Sequence, residues 1–261
     1  MEYRTVVSMF ADDTTVYLTK DNDYASLQSI LYKWCTASGA KFNTTKTKII
    51  PIGSHDYHEN LYNTHILNPN HPPLPTNLRI AKDGTAIRIL GASLGNNVDE
   101  NTIWSPILEK IDKCLERWKK THPSVDGRKT IIQWSVGSMT QYLTKAQGKP
   151  KPIEQKLEQK IKAFIWDGEG KPLISIKTMY APIDKEGKQV LNLAQCNDAI
   201  ELTWLRDLLT PTAKHPTWTF FAYALFNHFA QKSPIVHEEA RVNVFAQTWT
   251  PRVYSLPQSL Q

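Results

Sequence analysis

The sequence predicts an α+β protein, with paired strands in its first part and helices over most of the rest. Two observations predict this class. Before residue 98, short runs of apolar and β-branched residues flank turn sequences, which is typical of β-hairpins. After residue 98, apolar residues recur at spacings of three and four, which is typical of amphipathic helices. At 261 residues, the chain is long enough to form one large domain or two smaller ones.

The first predicted element is a β-hairpin over residues 6–18. Two apolar, β-branched runs flank the adjacent carboxylates Asp12 and Asp13, which places both at the hairpin tip. Hard divalent cations such as Mg²⁺ bind oxygen ligands, and carboxylates on a tight turn can hold them against a phosphate group. The hairpin is therefore the first candidate site.

A helix is predicted next, over residues 24–38, and Gly39 is suited to end it. Residues 40–53 then predict a turn that leads into a strand. The apolar residues of the helix lie at helical spacing and predict one buried face: Leu27, Ile30, Leu31 and Trp34.

Residues 54–76 predict an irregular surface insertion, because His, Asn, Pro and Tyr dominate and no periodicity is present. His55 and His58 in this segment are interpreted as polar loop residues rather than as metal ligands. Residues 77–94 predict a second hairpin, built around the Lys-Asp-Gly turn sequence at residues 82–84.

Helices are predicted over most of the remaining chain, interrupted by two short strands within residues 171–193. Four tryptophans at core spacing are expected to pack inside rather than to stack on bases: Trp118, Trp134, Trp166 and Trp204. The apolar spacing predicts helices over residues 105–120, 124–145, 153–166, 193–209 and 218–231.

The chain carries an excess of positive charge that lies in one segment. Its formal net charge is +6 and its pI is about 9.1. Residues 105–165 contain 13 of the 31 Lys and Arg residues but only 6 of the 25 Asp and Glu residues. A basic segment of this kind favours an anionic partner such as a nucleic acid.

Cysteine usage and hydropathy predict an intracellular protein, either nuclear or cytoplasmic. Cys35, Cys114 and Cys196 are far apart and odd in number, so they predict no disulfide framework. The sequence shows no apolar signal segment and no run of 18 apolar residues, so neither secretion nor membrane spanning is expected.

Several short segments resemble, in order along the chain, one family of enzymes. The Phe-Ala-Asp-Asp sequence at residues 10–13 is similar to the Phe/Tyr-x-Asp-Asp catalytic motif of reverse transcriptases. Residues 38–47 resemble the Ser-Gly-x-x-x-Asn-x-x-Lys-Thr stretch of the non-LTR (LINE-type) retrotransposon enzymes.

The resemblance to this branch continues downstream. Leu90-Gly91 is similar to the hairpin that grips the primer, and residues 104–128 resemble the start of the thumb. Parts of residues 164–199 resemble the region after the thumb. Jointly these segments cover most of residues 6–209. The resemblance therefore predicts that the chain is related to this family of enzymes.

The resemblance implies RNA-directed DNA polymerisation by two-metal nucleotidyl transfer, with Mg²⁺ as the cofactor. Asp12 would be the essential metal ligand and Asp13 its less essential neighbour. Lys46 would assist the departure of pyrophosphate, with Lys41 and Lys48 as alternatives. The other interpretation of these lysines is a solvated strand edge, which lysine commonly protects.

The resemblance and the charge together predict nucleic-acid partners, namely an RNA template and an RNA–DNA hybrid or DNA primer. An ordinary solvated helix surface is the alternative for the basic residues of the first thumb helix. The expected contacts are the primer-gripping pair and basic residues after it: Leu90, Gly91, Lys119, Lys120, Arg128 and Lys129.

The expected organisation is a partial palm at residues 1–98, a helical thumb at 99–168 and a post-thumb region at 169–261. The family places a further catalytic aspartate and the nucleotide-selecting fingers before its Asp-Asp motif, and residues before Val6 supply neither. Whether the chain is itself an enzyme therefore stays open. The alternatives are a non-catalytic nucleic-acid-binding remnant and a decayed retroelement product. The open edge of the first hairpin is expected to favour self-association.

Overall fold

The computed structural model describes residues 6–19, 21–166, 172, 174–210, 214–229 and 237. Over these residues the protein is a mixed α+β fold that is mostly helical, with small two-stranded sheets. The chain divides into two compact units, Met1–Ile103 and Trp104–Gln261. The three described sheets lie in the first unit. The finer division into palm, thumb and post-thumb regions stays a prediction.

The first hairpin forms where the sequence predicts it. Strand β1 (Val6–Phe10) pairs antiparallel with strand β2 (Asp13–Tyr17) along its whole length. Ala11 and Asp12 form the connecting turn, and Ala11 has a φ of 52°, in the left-handed region. A two-residue hairpin turn needs positive φ at its first central position, which explains this unusual conformation for alanine.

Helix α1 (Tyr24–Ser38) has its predicted bounds. The side chain of Asp23 caps its N-terminus, and Gly39, with a φ of 71°, ends it in the left-handed conformation. The expectation of a buried face is wrong, because none of the helix residues is fully buried. Ile30 and Trp34 are 63% and 42% exposed, so this apolar face lies at the surface of the described structure.

The irregular insertion predicted at residues 54–76 is wrong for its first half, which forms helix α2 (His55–Thr64), whereas residues 65–76 contain no helix or strand, as predicted. Ser54 caps this helix by accepting a hydrogen bond from the backbone N–H of Tyr57 at 3.3 Å. The helix buries Leu61 in the core of the first unit. The buried members of this core are Leu61, Leu74, Leu78 and Ile80.

The hairpin predicted around residues 82–84 is also wrong. Strand β4 (Arg79–Ile80) does not pair across that turn but runs parallel to strand β3 (Lys48–Ile49). The turn itself exists, since Gly84 has a φ of 83° and donates its backbone N–H to the carbonyl of Asn96 at 2.7 Å.

The second hairpin lies slightly later in the chain. Strand β5 (Ile87–Ile89) pairs antiparallel with strand β6 (Ala92–Leu94), and Leu90-Gly91 form the turn. Both turn residues have positive φ, 49° and 87°. Two successive left-handed residues are typical of the tight type I′ turn, and this turn places Leu90 and Gly91 at an exposed tip.

Helices form most of the described second unit, as predicted. The long first helix α3 (Glu100–Lys119) crosses the boundary between the units and buries Ile111 and Leu115. A π-helical segment joins the next two helices, which the sequence predicts as one. In order, the elements are α4 (Val125–Ile132), the π-helical segment (Gln133–Gly137), α5 (Ser138–Gln147) and α6 (Lys151–Ile165).

The last described helices are α7 (Ile176–Tyr180), α8 (Leu193–Leu209) and α9 (Trp218–Phe229). Helices α8 and α9 are predicted by the sequence, and residues 230–231 of the second prediction lie outside the described residues.

The two strands predicted within residues 171–193 are wrong. Helix α7 and a single 3₁₀ turn (Ile183–Lys185) occupy the described part of this segment, and residues 171 and 173 lie outside it. Ser175 accepts a hydrogen bond from the backbone N–H of Thr178 at 3.2 Å and so starts a helix where a strand is predicted.

The expectation that the tryptophans lie in the core is wrong for three of them. Trp118, Trp134 and Trp204 are 40%, 77% and 36% exposed. Their helices bury other faces, for example Ile111 on the helix of Trp118 and Val136 beside Trp134. Trp166 is half-buried.

The three cysteines are free thiols, as their spacing predicts. Among the described residues, no helix is long and apolar enough to cross a lipid bilayer.

Candidate nucleic-acid and metal-binding sites

The carboxylates Asp12 and Asp13 lie at the tip of the first hairpin, and both are exposed. Asp12 is in the turn, whereas Asp13 is the first residue of β2 and pairs with Phe10. Within the described part of the chain, neither carboxylate accepts a hydrogen bond or forms an ion pair. Both are therefore accessible to a ligand from solvent, and the small side chain of Ala11 leaves room for one to approach.

The chemistry of this pair suits Mg²⁺, although the pair is a partial ligand set. Mg²⁺ prefers carboxylate oxygens and is commonly bound by one or two carboxylates together with substrate phosphates. Over the residues that the structure describes, no group of three or more His, Cys, Asp or Glu side chains could hold a metal ion. Asp12 and Asp13 would therefore need phosphate oxygens to complete a magnesium site.

Lys46 is on a turn that precedes β3, and its side chain is exposed. Asn43 shapes this turn, since its side-chain oxygen accepts hydrogen bonds from the backbone N–H groups of Thr45 at 3.1 Å and Lys46 at 3.3 Å. The alternatives Lys41 and Lys48 are also exposed. No hydrogen bond or ion pair of the described residues joins these lysines to the first hairpin, so the choice among them stays open.

The expected primer-gripping pair is at the tip of the second hairpin. Leu90 is 47% exposed, and its left-handed φ is held by the type I′ turn that it forms with Gly91. This geometry presents an apolar side chain and a bare backbone at the tip. Their contact with a nucleic acid stays a prediction.

The expected basic contacts of the second unit lie near the junction of α3 and α4. Lys119 ends α3, Lys120 follows it, and Lys129 is on α4. Lys119 and Lys120 are exposed, whereas Lys129 is half-buried. Lys119 and Lys120 are adjacent in the chain, whereas Lys129 is in the last turn of α4, and the exposed pair suits contact with a phosphate backbone.

Arg128 differs from these lysines, because its guanidinium is engaged inside the protein. One terminal nitrogen donates to the carbonyl of Ile165 at 2.7 Å and, more weakly, to that of Phe164 at 3.4 Å. The Nε atom donates to the carbonyl of Pro123 at 3.1 Å. Arg128 therefore satisfies carbonyls at the C-terminal end of α6, and its contact with phosphate stays a prediction.

A histidine–aspartate cluster in the first unit is a feature that sequence reasoning missed. The two oxygens of Asp83 contact the Nδ1 atoms of His55 and His58 at 3.0 and 2.9 Å, and Asn97 donates to the same carboxylate at 3.2 Å. The hydrogen bond to Asp83, followed by the charge of Glu59, raises the pKa of His55. Conversely, the hydrogen bond from His55 is the largest cause that lowers the pKa of Asp83.

The cluster has a recognisable sequence signal that depends on α2. Once residues 55–64 are helical, His55 and His58 lie three residues apart and share a face. In the loop that the sequence predicts, His55 and His58 would not share a face. For this reason they are interpreted from the sequence as plain polar residues. The cluster ties α2 to the turn at residues 82–84.

A second missed feature is a buried carboxylate in the second unit. Glu154 accepts hydrogen bonds from Lys151 at 2.8 Å and from Asn197 at 2.9 Å, and it lies 3.6 Å from the ammonium of Lys149. Burial is the main cause that lowers the pKa of Lys149. This network connects the start of α6 to α8, and its contacts are structural.

The candidate sites are thus an exposed carboxylate pair, an exposed hairpin tip and a basic helix junction. No protein-family model matches this chain, and no curated protein matches it.

Proposed function

We propose that this chain carries part of a reverse-transcriptase-like polymerase, similar to those of LINE-type retrotransposons, and that its role is to contact an RNA template and its primer. The observation that supports this proposal best is the tight hairpin that exposes Asp12 and Asp13 next to a small residue. Order along the chain adds support, because the Leu90-Gly91 hairpin and the basic junction follow in the sequence in which the family uses them.

Within this proposal the described residues have distinct roles. Asp12 and Asp13 would hold Mg²⁺ jointly with substrate phosphates. When bound, the ion would neutralise the charge that develops during nucleotidyl transfer. Lys46 would donate a proton to the departing pyrophosphate or stabilise its negative charge, and Leu90-Gly91 would position the primer end.

A second candidate function is nucleic-acid binding without catalysis. It is favoured by the absence, over the described residues, of a group of three or more ligands able to hold a metal. Two carboxylates bind Mg²⁺ weakly by themselves, because the ion gives up its water reluctantly and requires near-octahedral oxygen ligands. The basic junction of α3 and α4 would suffice for binding.

Primer extension tests whether the chain by itself catalyses polymerisation. We expect the purified chain alone not to extend a primed RNA template with Mg²⁺ or Mn²⁺, since loss of metal and positioning contributions costs several orders of magnitude in rate. Asp12→Asn is the matched control. Template-dependent incorporation that disappears in this variant would instead establish catalysis by the chain itself.

Binding to a primer–template duplex tests the part of the proposal that both candidates share. With about three to five phosphate contacts, the logarithm of affinity should fall against the logarithm of salt concentration with a slope of roughly −2 to −4. Reversal of charge at Lys119 and Lys120 should weaken binding, whereas reversal at the exposed Lys177 on α7 should not. The proposal would be contradicted if the wild type, the Lys119/Lys120 charge-reversal variant and the Lys177 charge-reversal variant bound equally, or if the affinity did not depend on salt.

A further inference from the structure

A basic pocket lies in the first unit, between the two parallel strands and the C-terminal end of α2. Its volume is about 620 Å³, within the range of ligand-binding pockets. We call it the β3–β4 pocket. The polar and aromatic side chains that define it are Lys48, Tyr62, Asn63, His65, Arg79 and Lys82.

The strand register places two cations side by side in this pocket. Lys48 is the direct partner of Arg79 in the parallel ladder, and Ile49 is the partner of Ile80. Successive strand residues face opposite sides, so the isoleucines join the core and both cations point outward. Like charges opposite each other destabilise a sheet, so this pairing is unfavourable until an anion lies between them.

Carboxylates near the pocket do not compensate the positive charge of Lys48 and Arg79. The lining of the β3–β4 pocket contains no Asp or Glu. Asp83 follows Lys82 directly, but its oxygens contact His55 and His58. Over the described residues, Lys48, Arg79 and Lys82 form no ion pair.

The pocket also offers a ring surface. The ammonium of Lys82 lies 4.3 Å from the centroid of the Tyr62 ring, a cation–π distance. Tyr62 is 37% exposed, so part of its side chain is accessible to a ligand.

We propose that the β3–β4 pocket binds the phosphate group of a nucleotide, either free or within a single strand of nucleic acid. Lys48 and Arg79 contact the phosphate oxygens, with the Arg79 guanidinium able to bind two of them at once. Tyr62 lies beside the sugar or base. This site is separate from the carboxylate hairpin and the basic helix junction, and it does not require polymerase activity.

Fluorescence anisotropy with a fluorescein-labelled single-stranded oligo(U) 12-mer tests the inference, with ATP and inorganic phosphate as competitors. The test variant is Lys48→Gln with Arg79→Gln. The matched control is Lys33→Gln with Lys177→Gln, which removes two exposed cations outside the pocket. Thermal unfolding of both variants verifies that the exposed substitutions leave the fold intact.

We expect the test variant to bind the 12-mer at least about tenfold more weakly than the control, with a salt slope shallower by about 1.4, since each lost single-strand contact removes about 0.7. Competition by ATP but not by phosphate would identify a free nucleotide as an alternative source of the phosphate. Competition by neither ATP nor phosphate would identify the single strand of nucleic acid as the source of the phosphate. If phosphate alone competes as well as ATP, the pocket recognises phosphate without the ring, and the role of Tyr62 is wrong.

The inference fails if the test and control variants bind every probe equally, or if no probe binds. Its failure is distinguishable from failure of the proposed function. Charge reversal at Lys119 and Lys120 acts on the basic helix junction. If that variant loses primer–template binding while the Lys48→Gln/Arg79→Gln variant binds all probes as the control does, this inference alone is overturned.

Discussion

Arg128 makes internal contacts that its position in a basic stretch of sequence does not indicate. In the sequence it belongs to a basic stretch and is expected to contact phosphate. In the structure it is half-buried, and its guanidinium donates to carbonyls of Pro123, Phe164 and Ile165. Two of these three carbonyls, those of Phe164 and Ile165, lie 36 and 37 positions later in the chain, so no local pattern could predict these two contacts.

Arg128→Lys should therefore destabilise the second unit by about 1–3 kcal/mol, because a lysine cannot reach carbonyls on both sides and leaves part-buried groups unsatisfied. Lys120→Gln, at an exposed neighbour, should change the free energy of unfolding by less than about 0.5 kcal/mol. Urea unfolding of the two variants gives the comparison. If Arg128→Lys keeps full stability but loses nucleic-acid affinity, the phosphate role is right and the structural role is wrong.

The contact between His55 and Asp83 predicts how the first unit responds to pH. The pKa of His55 is raised above its ordinary value of 6.5, so its contribution is present below pH 6.5 and is lost as the pH rises through the raised pKa. The pKa of Asp83 is lowered below its ordinary value of 3.8, so its contribution is present above pH 3.8 and is lost in stronger acid.

The stabilisation from this pair should thus be largest between about pH 4 and pH 6.5, and it should decline as the pH rises through the raised pKa of His55. Thermal unfolding of the protein and of Asp83→Asn between pH 5 and pH 8.5 measures the difference. The gap in melting temperature between the two should narrow as the pH rises. A gap that is constant across this range would show that the ionic contact does not contribute.

At the scale of elements, the sequence predicts those whose pattern is local. Helices α1, α6 and α8 have apolar periodicity and form within two residues of their predicted bounds, whereas α3 begins at Glu100, five residues before its predicted start. Helix α2 escapes prediction because it is mostly polar and its apolar partners, from Leu74 to Ile80, come later in the chain. The pairing of β3 with β4 is not predicted for the same reason, since 30 residues separate Lys48 from its partner Arg79.

The sequence predicts two short strands within residues 171–193, around the turn sequence at residues 184–187, but a close backbone approach decides the structure of the part after α7. Gly187 is buried, and its backbone N–H donates to the carbonyl of Pro182 at 2.9 Å. A Cβ atom at this position would lie 1.9 Å from the carbonyl oxygen of Ala181. Only glycine allows this chain reversal.

Gly187→Ala should consequently cost about 1–3 kcal/mol or more, because the backbone of Ala181 would have to move. Gly39→Ala is an informative comparison, since its added Cβ has open space and only the left-handed φ opposes it, at a cost of about 1 kcal/mol. Amide hydrogen exchange in α7, α8 and α1 separates the two effects. Equal exchange in α7 for wild type and Gly187→Ala would contradict the close approach.

At the scale of the whole molecule, candidate sites are harder to predict than elements. The carboxylate hairpin is predictable because its residues are adjacent in the sequence. The β3–β4 pocket draws on three distant segments, represented by Lys48, Tyr62 and Arg79, and becomes visible only once α2 and the parallel strands are known.

The first unit also exposes apolar surface that no described residue covers fully. On the first hairpin, Val7, Met9 and Phe10 are 51%, 57% and 67% exposed. On α1, Ile30 and Trp34 add to this exposed apolar surface. The two-stranded sheet has an open edge on each strand within the described residues, and an isolated hairpin is marginally stable.

An open, apolar edge of this kind pairs readily with another chain, so we expect the protein to self-associate through the first hairpin. Val7→Lys, an edge charge of the kind that natural sheets use against such pairing, should shift the protein toward the monomer. The matched control is Ile183→Lys, at an apolar residue of the second unit with 65% exposure. Light scattering coupled to gel filtration, over a range of concentrations, measures the association.

Hydrogen exchange adds a second criterion, because the amides of β1 and β2 should exchange fastest among the structured elements in the monomer and more slowly in the associated form. A clean monomer in which these amides are among the slowest to exchange would mean that the hairpin is protected within the chain itself, and that its edge is not an interface.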